Sequence, residues 1–349
     1  MRELDELGER FWAWRARQQP RTRDDIPRLG RPPGWRPEVD AGLADRRREE
    51  LGAFEAELAR IDPDEVPDRV DHRLLSSAMA RVRWESDVLR MQGIPRFWTD
   101  QALGPVYDAL LRPGVDADRV AEVTRLLRAV PDTLSHAAGA LVSPAREFAR
   151  LAVAELDGVA ARIDACTEAL TRIDPSAAAE LASAGAEAGA ALEQFGAGLA
   201  DRLADLPPAV PVGREQYQWF LREVACVPLT VEEIAGIGRR EYERAVWLEL
   251  LHATRNRDVP VPPLPADAGQ QVRAQARDEA AVRQFYAGRG LLSQPESLRH
   301  YLTLPMPDYL APLTFLGVAD ELTGPGRLTE DGVAYVPPPG PDLPTGTPA

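Results

Sequence analysis

Apolar residues that recur at helical spacing, in runs closed by proline, constrain the fold of this chain most. In the run from Phe148 to Ile173, apolar side chains return every three or four residues, which is the spacing of one face of an α-helix. Proline ends such runs, as at Asp174-Pro175, because it cannot donate the next helical hydrogen bond. The chain holds 32 prolines in 349 residues, so its helices are many and separate. The sequence therefore predicts a mainly α fold.

Three helices are predicted near the N-terminus. They run from Glu3 to Arg17, from Leu43 to Ile61 and from Val66 to Met91. The stretch from Pro20 to Pro37 between the first two is rich in arginine, proline and glycine, a composition that indicates a loop.

The middle of the chain predicts two long antiparallel helices. The second follows the Phe148 to Ile173 run directly, from Ser176 to Leu206, and alanine dominates it. A short connection makes two consecutive helices antiparallel neighbours, and small side chains let them approach closely. A hairpin packed inside one domain is favoured over a coil that binds a partner.

Two more helices and one strand are predicted after residue 229. Thr230 to Glu233 has the pattern of a capping box, in which the first side chain caps the helix and the last reaches back to it. A further helix is predicted from Ala266 to Tyr286. The short uncharged segment from Gly332 to Val336 follows the turn candidate Glu330-Asp331-Gly332 and predicts a β-hairpin or an edge strand.

The charge balance limits the partners of this chain. Its formal net charge of −14 argues against a nucleic acid or an anionic membrane, since both need a positive protein surface. The N-terminus has no apolar core of signal-peptide length, and no window reaches about 18 uncharged apolar residues. Cys166 and Cys226 lie among apolar neighbours and are predicted to be buried free thiols, as in a reducing compartment. A cytoplasmic location is predicted.

No spacing of residues singles out a catalytic or metal-binding site. None of the histidines belongs to the HExxH pattern that places two zinc ligands one helical turn apart; they are His72, His136, His252 and His300. The chain also lacks GxSxG, GxGxxG and the phosphate-binding GxxxxGK motif. We therefore assign no catalytic residue, no metal ligand and no cofactor to these 349 residues.

Four blocks, in order, carry a resemblance to a known family. They are IDPDEVPDRVDHRLLSSAMARVRWE (Ile61 to Glu85), FWTDQALGPVYDALLRP (Phe97 to Pro113), the block from Val212 to Arg244, and the block from Tyr309 to Pro344. Together they resemble the bacterial domain-of-unknown-function 885 family. The likeness runs from about residue 40 to 344, which divides the chain into an N-terminal helix and loop (1–39), the family region (40–344) and a non-family tail (345–349).

The resemblance implies a large helical, zincin-like fold related to gluzincin metallopeptidases, of which this chain is the N-terminal portion. In that family a helix with His-Glu-x-x-Pro-Gly-His follows an Asp-Leu-Pro element, here Asp342 to Pro344, and zinc is the expected cofactor of a full-length member. The motif has no counterpart in this sequence, so the chain is expected to be truncated before the zinc site. The strand at Gly332 to Val336 lies at the position in the sequence where zincins commonly have an edge strand that pairs with an extended substrate. Tyr335 and Val333 are therefore candidates for a groove that holds a peptide-like substrate.

The predicted function is that of an N-terminal helical portion of a zinc-dependent, peptidase-like hydrolase, inactive by itself. Its partner is expected to be a missing C-terminal catalytic half or a second copy of the chain. Two alternatives stay open: a non-catalytic helical binding or scaffold protein, and one half of a split metallohydrolase.

Overall fold

The structure is a computed structural model. Helices account for most of it, so the prediction of a mainly α fold is confirmed. The described residues are 3–18, 34–38, 42–62, 69–260, 265–292, 301–317, 320–321 and 331–337. The division of the chain at residues 39 and 344 stays a prediction.

The first helices in chain order are α1 (Glu3–Ala16), α2 (Leu43–Leu58), α3 (Arg69–Arg83), α4 (Pro95–Leu111), α5 (Ala117–Arg128), α6 (Val130–Ser135) and α7 (Ala137–Ala140). The later ones are α8 (Arg146–Leu156), α9 (Val159–Thr171), α10 (Ala178–Ala200), α11 (Arg214–Trp219), α12 (Val231–Arg255) and α13 (Ala268–Arg289). π-helical turns follow α3 and α11, at Trp84–Val88 and Phe220–Val224. The predicted helix from Val66 to Met91 is thus interrupted at Arg83.

Most of these helices pack in two large apolar cores, and a small cluster of Ala149, Ala152, Leu199 and Leu206 joins α8 to the end of α10. The smaller of the two cores lies between α1, α2 and α3, where Leu7, Phe11 and Met79 are almost completely buried. The larger is formed mainly by α4, α5, α6, α9 and α10. It extends to residues near the C-terminus, among them Leu310 and Leu313. Burial of these apolar faces is the main stabilising contribution in both cores.

The predicted helical hairpin is present with α10 as its second arm, but its first arm is broken at Gly158, whose φ is 65°, into α8 and α9. A Cβ added at Gly189 of α10 would lie 3.1 Å from both Cα and Cβ of Ala160 in α9. Further along α10, a Cβ at Gly196 would lie 3.4 Å from Cβ of Leu156, just before α9 begins. Residues later in α10 therefore face residues earlier in the chain, so α9 and α10 are antiparallel. Glycine at residue 189 allows their backbones to approach closely.

The predicted capping box at the start of α12 is also present. The Thr230 hydroxyl accepts a hydrogen bond from the Glu233 amide at 3.2 Å, and the Thr230 amide donates to the Glu233 carboxylate at 2.7 Å. The Thr230 amide, and then the Thr230 hydroxyl, donate to the Glu233 carboxylate and lower the pKa of Glu233 below its usual value, because they favour the charged form. The Gln218 side chain ties this end of α12 to α11, since it donates to the Leu229 carbonyl and accepts from the Val231 amide.

The strand near the C-terminus does not form the predicted β-hairpin, and it is not an edge strand. The described strands are β1 (Tyr301–Pro305), β2 (Asp320–Glu321) and β3 (Gly332–Val336), in the order β1-β3-β2. β3 pairs in parallel with β1 over five residue pairs, from Tyr301 opposite Gly332 to Pro305 opposite Val336. The two-residue β2 pairs antiparallel on its other side. β3 is central because β1, a segment that the sequence analysis did not identify as a strand, supplies its main partner.

The close approach of α9 and α10 gives a direct test of this packing. We expect Gly189→Leu to lower the free energy of unfolding by about 1–3 kcal/mol, because the new side chain must push Ala160 away. Gly198→Leu is the matched control: it lies on the same helix with nothing within 4 Å, and it should stabilise by up to about 1 kcal/mol through helix propensity. Urea unfolding measures both changes, and equal effects at the two positions would contradict the packing described.

Candidate functional site

The two residues predicted to line a substrate groove are in the larger core. Val333 is 3% exposed and Tyr335 is 8% exposed, and both contact the cluster that contains Leu310 and Leu313. They lie at alternate positions of the central strand β3. Their role in binding a substrate stays a prediction.

A peptide that adds a strand to a sheet needs an outer strand with unpaired backbone groups. The outer strands of the described sheet are β1 and β2, not β3. α13 packs against β1, and Leu302 on β1 is 39% exposed. Strand addition at this sheet would therefore use β1 or β2, with Val333 and Tyr335 supporting the sheet from its centre.

The three histidines of the described ranges lie on separate parts of the fold. His72 Nε2 lies 3.3 Å from the Leu58 carbonyl oxygen, and His136 Nδ1 lies 2.9 Å from the Asp132 carbonyl oxygen. His252 is exposed on α12, and His300 lies outside the described residues. Within the described ranges, no three His, Cys, Asp or Glu side chains converge in a way that could hold a metal ion. These residues do not fit the zinc site that the resemblance implies, and no catalytic step is assigned to them.

The two cysteines differ in their exposure. Cys166 is buried as predicted, and burial in the core raises the pKa of its thiol to about 12, so it is neutral at pH 7. Cys226 is exposed, contrary to the sequence-based prediction, and has a left-handed backbone conformation with a φ of 54°. Both are free thiols.

The most unusual surface of the described chain lies on α12. This helix has 25 residues and buries none of them, and its main neighbour is the short helix α11. Trp247 is 73% exposed and Tyr242 is 72% exposed. We call the following exposed residues the apolar band of α12: Tyr242, Val246, Trp247, Leu248, Leu250 and Leu251.

The sequence contains the signal for this surface. Residues 245–251 read AVWLELL, so apolar side chains project from nearly every side of two helical turns. A helix that is apolar all round belongs in a protein interior. The residues before this run, RREYER at 239–244, are charged and suit a solvated helix. The apolar band is therefore concentrated at residues 245–251, and Tyr242 adds one exposed aromatic ring within the charged run.

α13 also exposes large apolar side chains, but fewer of them than α12. It also buries no residue, and three of its larger apolar side chains are exposed: Val282 (51%), Phe285 (53%) and Tyr286 (36%). The two long helices that contribute least to the cores thus carry much of the exposed apolar surface.

The burial of Tyr335 predicts a large effect on stability. Tyr335→Ala should lower the free energy of unfolding by about 3 kcal/mol or more, because it leaves a cavity in the core. Leu302→Ala, on the neighbouring strand but 39% exposed, should cost about 1 kcal/mol or less. Urea unfolding followed by circular dichroism compares the two variants. An equally small loss for both would contradict the placement of Tyr335 in the core.

Comparisons with known proteins place the chain in a family. Its sequence matches the DUF885 family model, "Bacterial protein of unknown function", over residues 29–247. This match contains the first three blocks of the predicted resemblance, and the block from Tyr309 to Pro344 lies beyond it. A search of curated proteins finds no match.

One solved structure has a similar fold. It is described as "a putative lipoprotein of unknown function from Shewanella oneidensis", with a TM-score of 0.60 and 12% sequence identity. The match covers 96% of this chain and 64% of that chain, so this chain spans less than two thirds of the length of its structural relative. Among the described helices, none is both long and apolar enough to cross a membrane. By its match over residues 29–247, the chain belongs to DUF885, a bacterial family of unknown function.

Proposed function

We propose that this chain is the N-terminal helical portion of a zinc-dependent, peptidase-like hydrolase, and that the polypeptide carrying the metal site docks on the apolar band of α12. The observation that carries this proposal is the exposure of that band. The zincin-like fold, the zinc and the peptide-like substrate come from the family resemblance. The cytoplasmic location stays a prediction.

The size of the band supports a macromolecular partner. One large aromatic side chain buries about 150–250 Å² when it is fully covered, and the band contains a tryptophan, a tyrosine, three leucines and a valine. Contiguous apolar patches above a few hundred Å² on soluble proteins usually mark interaction sites. At roughly 25 cal/mol per Å², covering such an area contributes several kcal/mol. That gain is comparable to the whole stability of an ordinary domain, about 5–15 kcal/mol.

A further polypeptide segment fits this surface better than a small molecule. The band lies on a convex helix, whereas small-molecule sites are concave. The N-terminal end of α12 is held by the capping box and by Gln218. These bonds limit the directions in which the apolar half of the helix can point. The structural relative is longer than this chain, since the match covers 96% of this chain and 64% of that one. Self-association through the same band is the competing outcome.

The source of the metal ligands determines what each of the two polypeptides would contribute. The described residues provide no cluster that could hold zinc, so the docking polypeptide would supply the imidazole and carboxylate ligands. Zinc in such a site supplies an activated water for hydrolysis. The residues of this chain would support that polypeptide through α12 and α13. The outer strand β1 would be available to pair with an extended peptide.

The proposal predicts the behaviour of the isolated chain. We expect it to bind the dye ANS and to associate at increasing concentration, because the apolar band is bare. The double variant Trp247→Glu, Leu251→Glu should lose both properties while its far-ultraviolet circular dichroism is unchanged. Arg239→Glu, on the charged half of the same helix, is the control and should behave as wild type. ANS fluorescence and light scattering after gel filtration measure these effects.

Co-expression tests the partner itself. The polypeptide encoded directly downstream in the source genome should contain His-Glu-x-x-Pro-Gly-His, and it should co-purify with this chain as a complex that contains zinc and hydrolyses peptides. The double variant should weaken the complex about a hundredfold or more, since a central tryptophan is a frequent hot spot. Stoichiometric zinc and peptide turnover in this chain alone would contradict the proposal. A monomer that binds no ANS would favour the scaffold alternative.

A further inference from the structure

A cavity of about 160 Å³ lies between α1, α2 and the turn after α3. Arg15 and Gln18 line it from the end of α1, and both are buried, with 4% and 5% exposure. Arg47 and Arg48 line it from α2, and Arg90 lines it from the turn that precedes α4. This cavity is separate from the apolar band of α12, and its function is independent of the hydrolase proposal.

Positive charge dominates the wall of the cavity. Four arginines line it, and Glu85 is the only acidic residue among the described lining residues. Arg15 forms an ion pair with Glu85. Arg48 is paired on the protein surface with carboxylates of α2 and of the π-helical turn, Asp45 at 2.8 Å and Asp87 at 3.2 Å. The surplus charge is unexpected in a chain whose formal net charge is −14.

Arg47 has no such partner within the described part of the chain. Its Nη2 donates to two main-chain carbonyl oxygens, of Gln18 at 2.9 Å and of Glu38 at 3.2 Å. Burial, and then repulsion from Arg15, lower the pKa of Arg47 to about 10. The nearby carboxylates of Glu38 and Glu50 offset this lowering only in part, and the residue remains charged at neutral pH.

Two buried donors beside the cavity are unsatisfied. The Gln18 amide nitrogen and the Arg47 Nε have no hydrogen-bond partner among the described residues. Buried donors without an acceptor are destabilising and are rare in native proteins. The Nε atoms of Arg146 and Arg162 are also unsatisfied, but neither arginine lines this cavity. Two unsatisfied donors next to surplus guanidinium charge indicate a missing acceptor.

Arg90 adds a backbone observation. Its φ is 50° and its ψ is 55°, the left-handed conformation that glycine adopts at little cost. The following residues form a short helical turn, whose Gln92 carbonyl accepts a hydrogen bond from the Trp98 indole at 2.8 Å. An arginine at this position places a cation on the cavity wall at the expense of backbone strain.

We propose that this cavity binds a compact oxyanion, a phosphate or a carboxylate group, through Arg47, Arg90 and the Gln18 amide. Guanidinium groups bind both kinds of oxyanion through paired, charge-assisted hydrogen bonds. The volume corresponds to on the order of ten water-sized spheres, which is sufficient for a small anion. The oxyanion would accept hydrogen bonds from both unsatisfied donors.

Inorganic phosphate and malonate are the two probes, each titrated at constant ionic strength by calorimetry and by thermal melting. At least one should bind and raise the melting temperature, and the one that binds identifies the preferred oxyanion. Arg47→Met should weaken its binding about tenfold or more. Arg146→Met also removes a partly buried arginine with an unsatisfied Nε, but away from the cavity, and it should leave binding unchanged. Absence of binding by both probes at millimolar concentration, or equal losses in the two variants, would overturn the site.

Arg90→Gly separates binding from stability, and it keeps the site testable if Arg47→Met does not fold. Glycine relieves the left-handed backbone, so the melting temperature without anion should be unchanged or higher. Affinity for the anion should nevertheless fall severalfold, because a cation is lost from the cavity wall. Unchanged affinity would show that the cavity does not bind the anion as described.

Discussion

The packing of α10 against its neighbours organises most of this structure. Leu181, Ala184, Ala188 and Leu192 on α10 are fully buried, and the helix contacts α5, α6, α8 and α9. Alanine and glycine on its buried faces let those helices approach closely, so dispersion contacts are dense without large side chains. The C-terminal strand β3 is attached to the same core through Val333 and Tyr335.

α12, unlike α10, buries none of its residues. It begins with a well-formed capping box and carries, at residues 245–251, a run of apolar residues that contact little of the described chain. The contrast between these two long helices is the physical basis of the functional proposal, since α10 is covered on several sides and α12 leaves its apolar band exposed. The arginine-lined cavity is a separate feature, in which the unsatisfied groups are polar and the missing partner is an anion rather than an apolar surface.

The sequence predicted the features that depend on local pattern. The α9–α10 hairpin and the Thr230 capping box were recovered because spacing and side-chain chemistry over a few residues determine them. Helices α4 to α7 were not predicted, since Pro105 lies inside α4 and the helices α6 and α7 have only 6 and 4 residues. The position of β3 depended on pairing with a strand thirty-one residues earlier, which no local pattern reveals. The cavity unites residues from α1, α2 and the turn at Arg90, and the sequence gives no signal for their convergence.

Amide hydrogen exchange in the isolated chain tests the central claim most directly. Protection reports the free energy of local opening, and a helix end without packing partners opens easily. If residues 245–251 of α12 are built to be covered by another polypeptide, their amides should exchange much faster than those of residues 181–192 of α10. They should become protected when the metal-bearing polypeptide is present. Equal protection of the two segments in a proven monomer would contradict the account.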